Sequence, residues 1–119
     1  MLLSKVFYFD AAHLLPDYPG KCAQLHGHTY RLEVTIEGEL DEKGIVLDFA
    51  LLGKTIKHEV LLSLDHTNLN ELLPYPTCEQ IALFIWQKLS PQLNLFSLKL
   101  WEGKDNAVTL RREDMVKIA

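Results

Sequence analysis

A chain of 119 residues has room for one domain, and at that length folding removes roughly two-thirds of the unfolded chain's surface from water. At 48% hydrophobic and 24% charged the composition excludes a disordered chain, and the longest apolar run, Ile81 to Trp86, is far short of a membrane span or a secretion-signal core. Twelve Lys and Arg against sixteen Asp and Glu give a net charge of −4 without a basic cluster, which argues against a nucleic-acid partner.

Phe7, Phe9, Ala11 and His13 alternate with Val6, Tyr8, Asp10 and Ala12, an aromatic-rich period of two that predicts a strand over 5–13. Pro16, Pro19 and Gly20 end it in a loop. His26, His28, Tyr30, Leu32, Val34 and Ile36 alternate strictly with Gly27, Thr29, Arg31, Glu33, Thr35 and Glu37, which predicts a long strand with one core face and one wet face. An acidic turn follows from Gly38 to Gly44, and Ile45 to Leu47 is expected to return as a short strand before Asp48 caps a helix.

Phe49, Leu52, Ile56 and Val60 recur at helical spacing, so an amphipathic helix is expected from Phe49 to about Leu64. Asp65 to Asn70 reads as a polar loop, and Pro74 and Pro76 keep the chain extended. Thr77 and Gln80 form a capping-box pattern that opens a second helix, which stops at Leu89 before Pro91. Phe96, Leu98, Leu100 and Glu102 then alternate with Ser97, Lys99 and Trp101 in a third long strand, and Ala107 to Arg112 pairs back as a fourth. The order β-β-α-α-β-β implies an α+β domain over 1–119, an antiparallel sheet with two helices on one face.

Histidines are over-represented early in the chain. His26 and His28, two apart on a strand, leave the sheet on one face, and His13 ends the preceding strand. If those strands pair, three imidazoles converge, and three neutral histidines with an open fourth position describe a catalytic zinc site. Cys22, four residues before His26, can be a fourth ligand, a nucleophile or base beside the metal, or an inert thiol. Two cysteines without a secretion signal read as thiols in a reducing cytoplasm.

Cys78 begins a helix whose dipole can lower a thiol pKa, although a filler role suits it better. Asp65-His66 is either an acid-base dyad or part of a surface loop. Glu102 either marks the exposed end of its strand or binds something. His58 stands among charged residues and reads as solvated.

Taken in order, Phe9-Asp10-Ala11-Ala12-His13, Cys22-x3-His26-Gly27-His28, Leu47-Asp48-Phe49, Leu64-Asp65-His66-x-x-Leu69-Asn70, Pro76-Thr77-Cys78-Glu79 and Glu102 resemble the motifs of the 6-pyruvoyltetrahydropterin synthase family across nearly the whole chain. The three-residue gap between Cys22 and His26 is similar to its 6-carboxytetrahydropterin synthase branch, which serves queuosine and 7-deazaguanine biosynthesis.

The resemblance implies the tunnelling fold, whose sheets assemble into a trimeric barrel and whose trimers stack into a homohexamer. It implies one Zn2+ per subunit on His13, His26 and His28, a catalytic set of Cys22, Asp65 and His66, and a pterin ring held by Glu102, with Thr77 and Glu79 assisting. The implied substrate is 7,8-dihydroneopterin triphosphate, converted to 6-carboxy-5,6,7,8-tetrahydropterin with release of acetaldehyde and triphosphate. The pyruvoyl reaction on the same substrate and a non-catalytic zinc or pterin-binding protein are the alternatives. Lys21 and Arg31 are the candidates to meet the triphosphate.

Overall fold

In the computed structural model, which describes residues 1–118, the two alternating segments form a hairpin. Strand β1 (Leu2–His13) pairs antiparallel with β2 (His26–Glu37) over its full length, from Leu2 opposite Glu37 to His13 opposite His26. On the far side of β2 lie β4 (Leu95–Glu102) and then β5 (Asn106–Arg111), both antiparallel to their neighbours.

The expected return strand at Ile45 to Leu47 does not form. The Asp41 carboxylate instead accepts from the amides of Lys43 (2.8 Å) and Ile45 (3.0 Å) and folds the segment into a turn. The loop expected at Asp65 to Asn70 contains a two-residue strand, β3 (Thr67–Asn68), parallel to β1 with Ala11 opposite Thr67. The sheet order is therefore β3-β1-β2-β4-β5, and it is not purely antiparallel.

One sheet face is apolar because of the period-2 pattern. Phe9, Ala11, Leu32, Val34, Leu98 and Leu100 are buried there. At its far end β2 and β4 change register, with Thr35 opposite Ser97 but Ile36 opposite Leu95. Phe96 is the extra residue of this bulge and is only half-buried, and Leu95 takes the core position that alternation assigned to Phe96.

The first helical stretch runs through α1 (Phe49–Ile56), a π-helical turn at Lys57–Leu61 and α2 (Leu62–Leu64). Asp48 caps it by accepting from the Ala50 amide at 2.7 Å. Leu52, Ile56, Val60 and Leu64 are all 0% exposed. A strict four-residue spacing overshoots a 3.6-residue turn by about 40° per step, and the wide turn brings these side chains back onto the sheet. Phe49 lies off that stripe and is 54% exposed, contrary to its expected place in the core face. Nζ of Lys5 crosses over Gly53 to donate to the Phe49 carbonyl at 3.0 Å.

Helix α3 (Cys78–Leu89) has the predicted limits and buries Ile81, Ala82, Ile85 and Leu89. A final helix, α4 (Arg112–Ile118), is an addition to the predicted elements; only Met115 packs against the core and Val116 is 79% exposed, so a single short apolar contact gave no periodic signal. Among the described residues no helix is long and apolar enough to cross a membrane.

Leu64→Ala should lower unfolding free energy in urea by about 2–5 kcal/mol, whereas Phe49→Ala should stay within about 0.5 kcal/mol of the parent.

Candidate active site

The hairpin register brings the histidines together. His13 stands opposite His26, and Ala11 stands opposite His28, so all three rings project from the helix-covered face. Their centroids are 4.7, 4.8 and 5.0 Å apart, and one ring nitrogen from each lies within 4.8 Å of the others. His13 Nδ1 donates to the Pro76 carbonyl and His26 Nδ1 to the Gln24 carbonyl, both at 2.7 Å. A carbonyl only accepts, so these bonds fix the tautomer and leave each Nε2 with a free lone pair.

His28 Nε2 is buried and has no hydrogen-bond partner among the described residues, with Glu102 Oε1 3.4 Å away. Burial pushes His28 below its usual pKa; Glu102 raises it, and His13 and His26 lower it again. A neutral ring with an unused buried nitrogen is what a metal ligand requires, and the three-imidazole donor set fits a divalent ion of the zinc type. The Cys22 thiol is not part of this group.

Beside the histidines a cavity of about 410 Å³ is lined by Cys22, Thr77, Cys78, Glu79 and Glu102, together with Leu15, Tyr18, Asn106, Ala107 and Val108. Cys22 enters on a 3₁₀ turn (Gly20–Ala23) tied down by the Leu15 amide, which donates to the Cys22 carbonyl at 2.7 Å. The base of this loop is clamped by Asn70, whose side chain accepts from the Leu14 amide (2.9 Å) and donates to the Leu14 carbonyl (3.0 Å). The sequence motif that ends at Asn70 assigns it no role, because an asparagine that pairs with a distant backbone carries no local pattern.

Thr77 and Glu79 reach the cavity from the start of α3. Thr77 Oγ1 accepts from the Gln80 amide at 3.1 Å, while the Thr77 amide donates to Tyr75, so only half of the capping box forms. Glu102 ends β4 with its side chain 25% exposed and turned toward His28, so it is not a solvated strand end. The Cys78 thiol donates to the Leu100 carbonyl at 3.5 Å. Burial, with Glu102 and Glu79 adding, pushes it up to about 12, against the lowering that a helix dipole alone would give.

Next to His28 on the same sheet face, with ring centroids 5.8 Å apart, Tyr30 is stacked on Phe9 at 4.9 Å and 8° and fully buried. Burial first, then Glu102 and Cys78, hold its phenol well above the usual range.

Asp65 and His66 are joined to each other, Oδ1 to Nδ1, at 3.0 Å. They dock on the edge of β1, where the Asp10 amide donates to Asp65 Oδ1 (3.0 Å) and the His66 amide donates to the Asp10 carbonyl (2.6 Å). The Asp10 amide holds the Asp65 carboxyl below its usual range; slight burial opposes this, and His66 adds to it. His66 has φ +59°, a conformation uncommon for a non-glycine residue.

The dyad clusters with the Asp10 side chain, which accepts from Thr29 at 2.5 Å. Asp10 and Thr29 belong to the face opposite the three histidines. Within one chain the structure therefore does not bring Asp65 and His66 to the cavity that holds Cys22. Arg31 also lies on that opposite face, stacked over Trp101 at 4.4 Å, and Lys21 is exposed. Neither lines the cavity, which among the described residues has no cationic lining.

A model of 6-pyruvoyl tetrahydropterin synthase matches residues 2–113. The chain belongs to the 6-pyruvoyl tetrahydropterin synthase family. It is 43% identical over 106 residues to the dihydroneopterin monophosphate aldolase of Pyrococcus furiosus, covering 86% of this chain and 90% of that protein. It is 38% identical over 128 residues to the 6-carboxy-5,6,7,8-tetrahydropterin synthase of Haemophilus influenzae, covering 84% of this chain and 91% of that protein. The structure of Caenorhabditis elegans 6-pyruvoyl tetrahydropterin synthase superposes with a TM-score of 0.83 at 28% identity, covering 93% of this chain and 94% of that one. This sheet with helices on one face is thus the tunnelling fold of the family.

In a Cys22→Ser background, alkylation of Cys78 followed by mass spectrometry should be slow at neutral pH. Its rate should still climb beyond the ordinary cysteine value of about 8.5, because the neutral thiol is the favoured form in the folded protein.

Proposed function

We propose that this chain is a zinc-dependent lyase that converts 7,8-dihydroneopterin triphosphate to 6-carboxy-5,6,7,8-tetrahydropterin, releasing acetaldehyde and triphosphate, in queuosine or 7-deazaguanine biosynthesis. The observation that carries this reading is the junction of three imidazoles, each with an unused ring nitrogen, and a cavity containing a thiol and a recessed carboxylate. The family membership and the similarity to a 6-carboxytetrahydropterin synthase support it.

His13, His26 and His28 hold the zinc, which when bound supplies a Lewis acid for the side-chain oxygens of the substrate. Glu102 accepts hydrogen bonds from the 2-amino group and the adjacent ring N–H of the pterin, a bidentate match that sets the ring's orientation. Thr77 and Glu79 flank that ring from the start of α3. The Cys22 sulfur, half-buried at the mouth of the loop, takes and returns the side-chain proton.

The Asp65–His66 pair, on the far face of its own sheet, serves the cavity of a neighbouring subunit as the second acid-base group. That role requires a homo-oligomer, a dimer of trimers whose sheets close into a barrel. The two free thiols suit a reducing cytoplasm.

A second reading is favoured by two observations: the similarity to a dihydroneopterin monophosphate aldolase and the absence of Lys and Arg from the described cavity lining. In that reading the substrate carries one phosphate, and the bond between the first two side-chain carbons is cleaved without loss of the phosphate.

The deciding experiment incubates the zinc-loaded protein with each phosphate ester and identifies the products by mass spectrometry. Acetaldehyde with free triphosphate is the expected result. A pyruvoyl product without acetaldehyde, or a phosphorylated two-carbon aldehyde from the monophosphate alone, would overturn it in favour of the corresponding relative's reaction.

Cys22→Ala should keep zinc and fold while losing about 10²- to 10⁴-fold in kcat; loss of metal and unfolding would instead identify Cys22 as a ligand of a structural site. His26→Ala should lose stoichiometric zinc, as measured by elemental analysis.

A further inference from the structure

Tyr30 is fully buried, yet its hydroxyl has no hydrogen-bond partner among the described residues. A buried hydroxyl without a partner is destabilising, and a phenylalanine there would avoid that cost. The ring cannot swing elsewhere to find a partner. It is stacked on Phe9 at 4.9 Å and meets the edges of His28 and His13 at 5.8 and 6.4 Å.

Of the polar side chains near that end of β4, the Cys78 sulfur is already engaged with the Leu100 carbonyl. Glu102 stands directly opposite Tyr30 in the β2–β4 ladder, where side chains on one face are neighbours. In this structure the Glu102 carboxylate leans instead toward His28 Nε2, 3.4 Å away. Once that nitrogen gives its lone pair to a metal it carries no proton, and it has nothing to donate to Glu102.

We infer that the Tyr30 hydroxyl is a positioning group for Glu102: with the three histidines metal-loaded, it donates to the Glu102 carboxylate and aims it into the cavity at the pterin ring. The inference rests on the function proposed above and extends it, because it couples occupancy of the histidines to the readiness of the ring-binding carboxylate. Tyr30 touches neither metal nor ring and acts through Glu102.

The test is a double-mutant cycle on the zinc-loaded protein, with neopterin as the fluorescent probe of ring affinity and with zinc content and melting temperature measured alongside. Tyr30→Phe should keep its zinc, melt no lower than the parent once the zinc is removed, and when zinc-loaded bind neopterin about tenfold more weakly. In a Glu102→Gln background the same substitution should cost nothing further, since the two residues act as one unit. Unchanged affinity in Tyr30→Phe would overturn the inference alone, as would an equal loss in both backgrounds with a lowered melting temperature, which marks a packing role. A parent protein that binds no neopterin would overturn the functional reading and this inference with it.

Discussion

The β1–β2 register is the constraint on which the rest of the molecule depends. Twelve consecutive pairs run from Leu2 opposite Glu37 to His13 opposite His26, and a slip of one residue would turn every side chain of one strand to the other face. The register is held along its length by the apolar residues Phe9, Leu32, Val34 and Ile36 against the helices, and at its open end by the histidines' bonds to the Pro76 and Gln24 carbonyls. The same alternation that buries the core thus carries the sheet face past its last apolar rung into three imidazoles. Their placement is a by-product of burial, and no separate scaffold is needed to hold them.

Two polar attachments and one strand pairing then build the cavity around that end. The Pro76 carbonyl fixes His13 and at the same time anchors the segment that leads into α3, so Thr77 and Glu79 are placed by the residue that orients a candidate metal ligand. Asn70, by pairing with the Leu14 backbone, joins the loop that carries Cys22 to the segment that follows β3. Glu102 and Tyr30 face each other across β2 and β4. The polar residues of the site are spread over distant parts of the chain, yet each is one contact from the hairpin.

Much of this was legible in the sequence, and the reasons differ from residue to residue. The strict alternation from His26 to Ile36 fixes both a strand and its faces, which is why the triad could be named from spacing. The four-residue spacing of Leu52, Ile56, Val60 and Leu64 fixes a helix but not its π turn, because the overshoot is visible only once the sheet shows where the stripe must land. Phe96 and Leu95 exchange roles at a bulge that no period-2 reading can detect. Strand β3 is two residues long and depends on an edge offered by β1, so its own sequence has no strand signal. Asp65-His66 was legible as a pair but not as a pair on the wrong face, since the side of the sheet it reaches is decided by the path of the chain over the β1 edge and by the left-handed turn at His66.

The charge of the site has a consequence for what can fill it. Two carboxylates, Glu79 and Glu102, line the cavity, and no Lys or Arg does so among the described residues, so the field inside favours a ligand that presents N–H donors and opposes an anion. A pterin with a phosphorylated side chain satisfies that field only if its ring enters and its phosphates stay outside. A divalent ion on the three histidines would neutralise part of the acidic lining at the one point where side-chain oxygens pass between the two regions. In the proposed reaction the phosphates are met by cations beyond the cavity wall, such as the exposed Lys21 or groups of the proposed neighbouring subunit. In the homo-oligomer proposed above, a second chain packed against the first answers both the placing of Asp65 and His66 on the far face of the sheet and the lack of cations in the cavity lining.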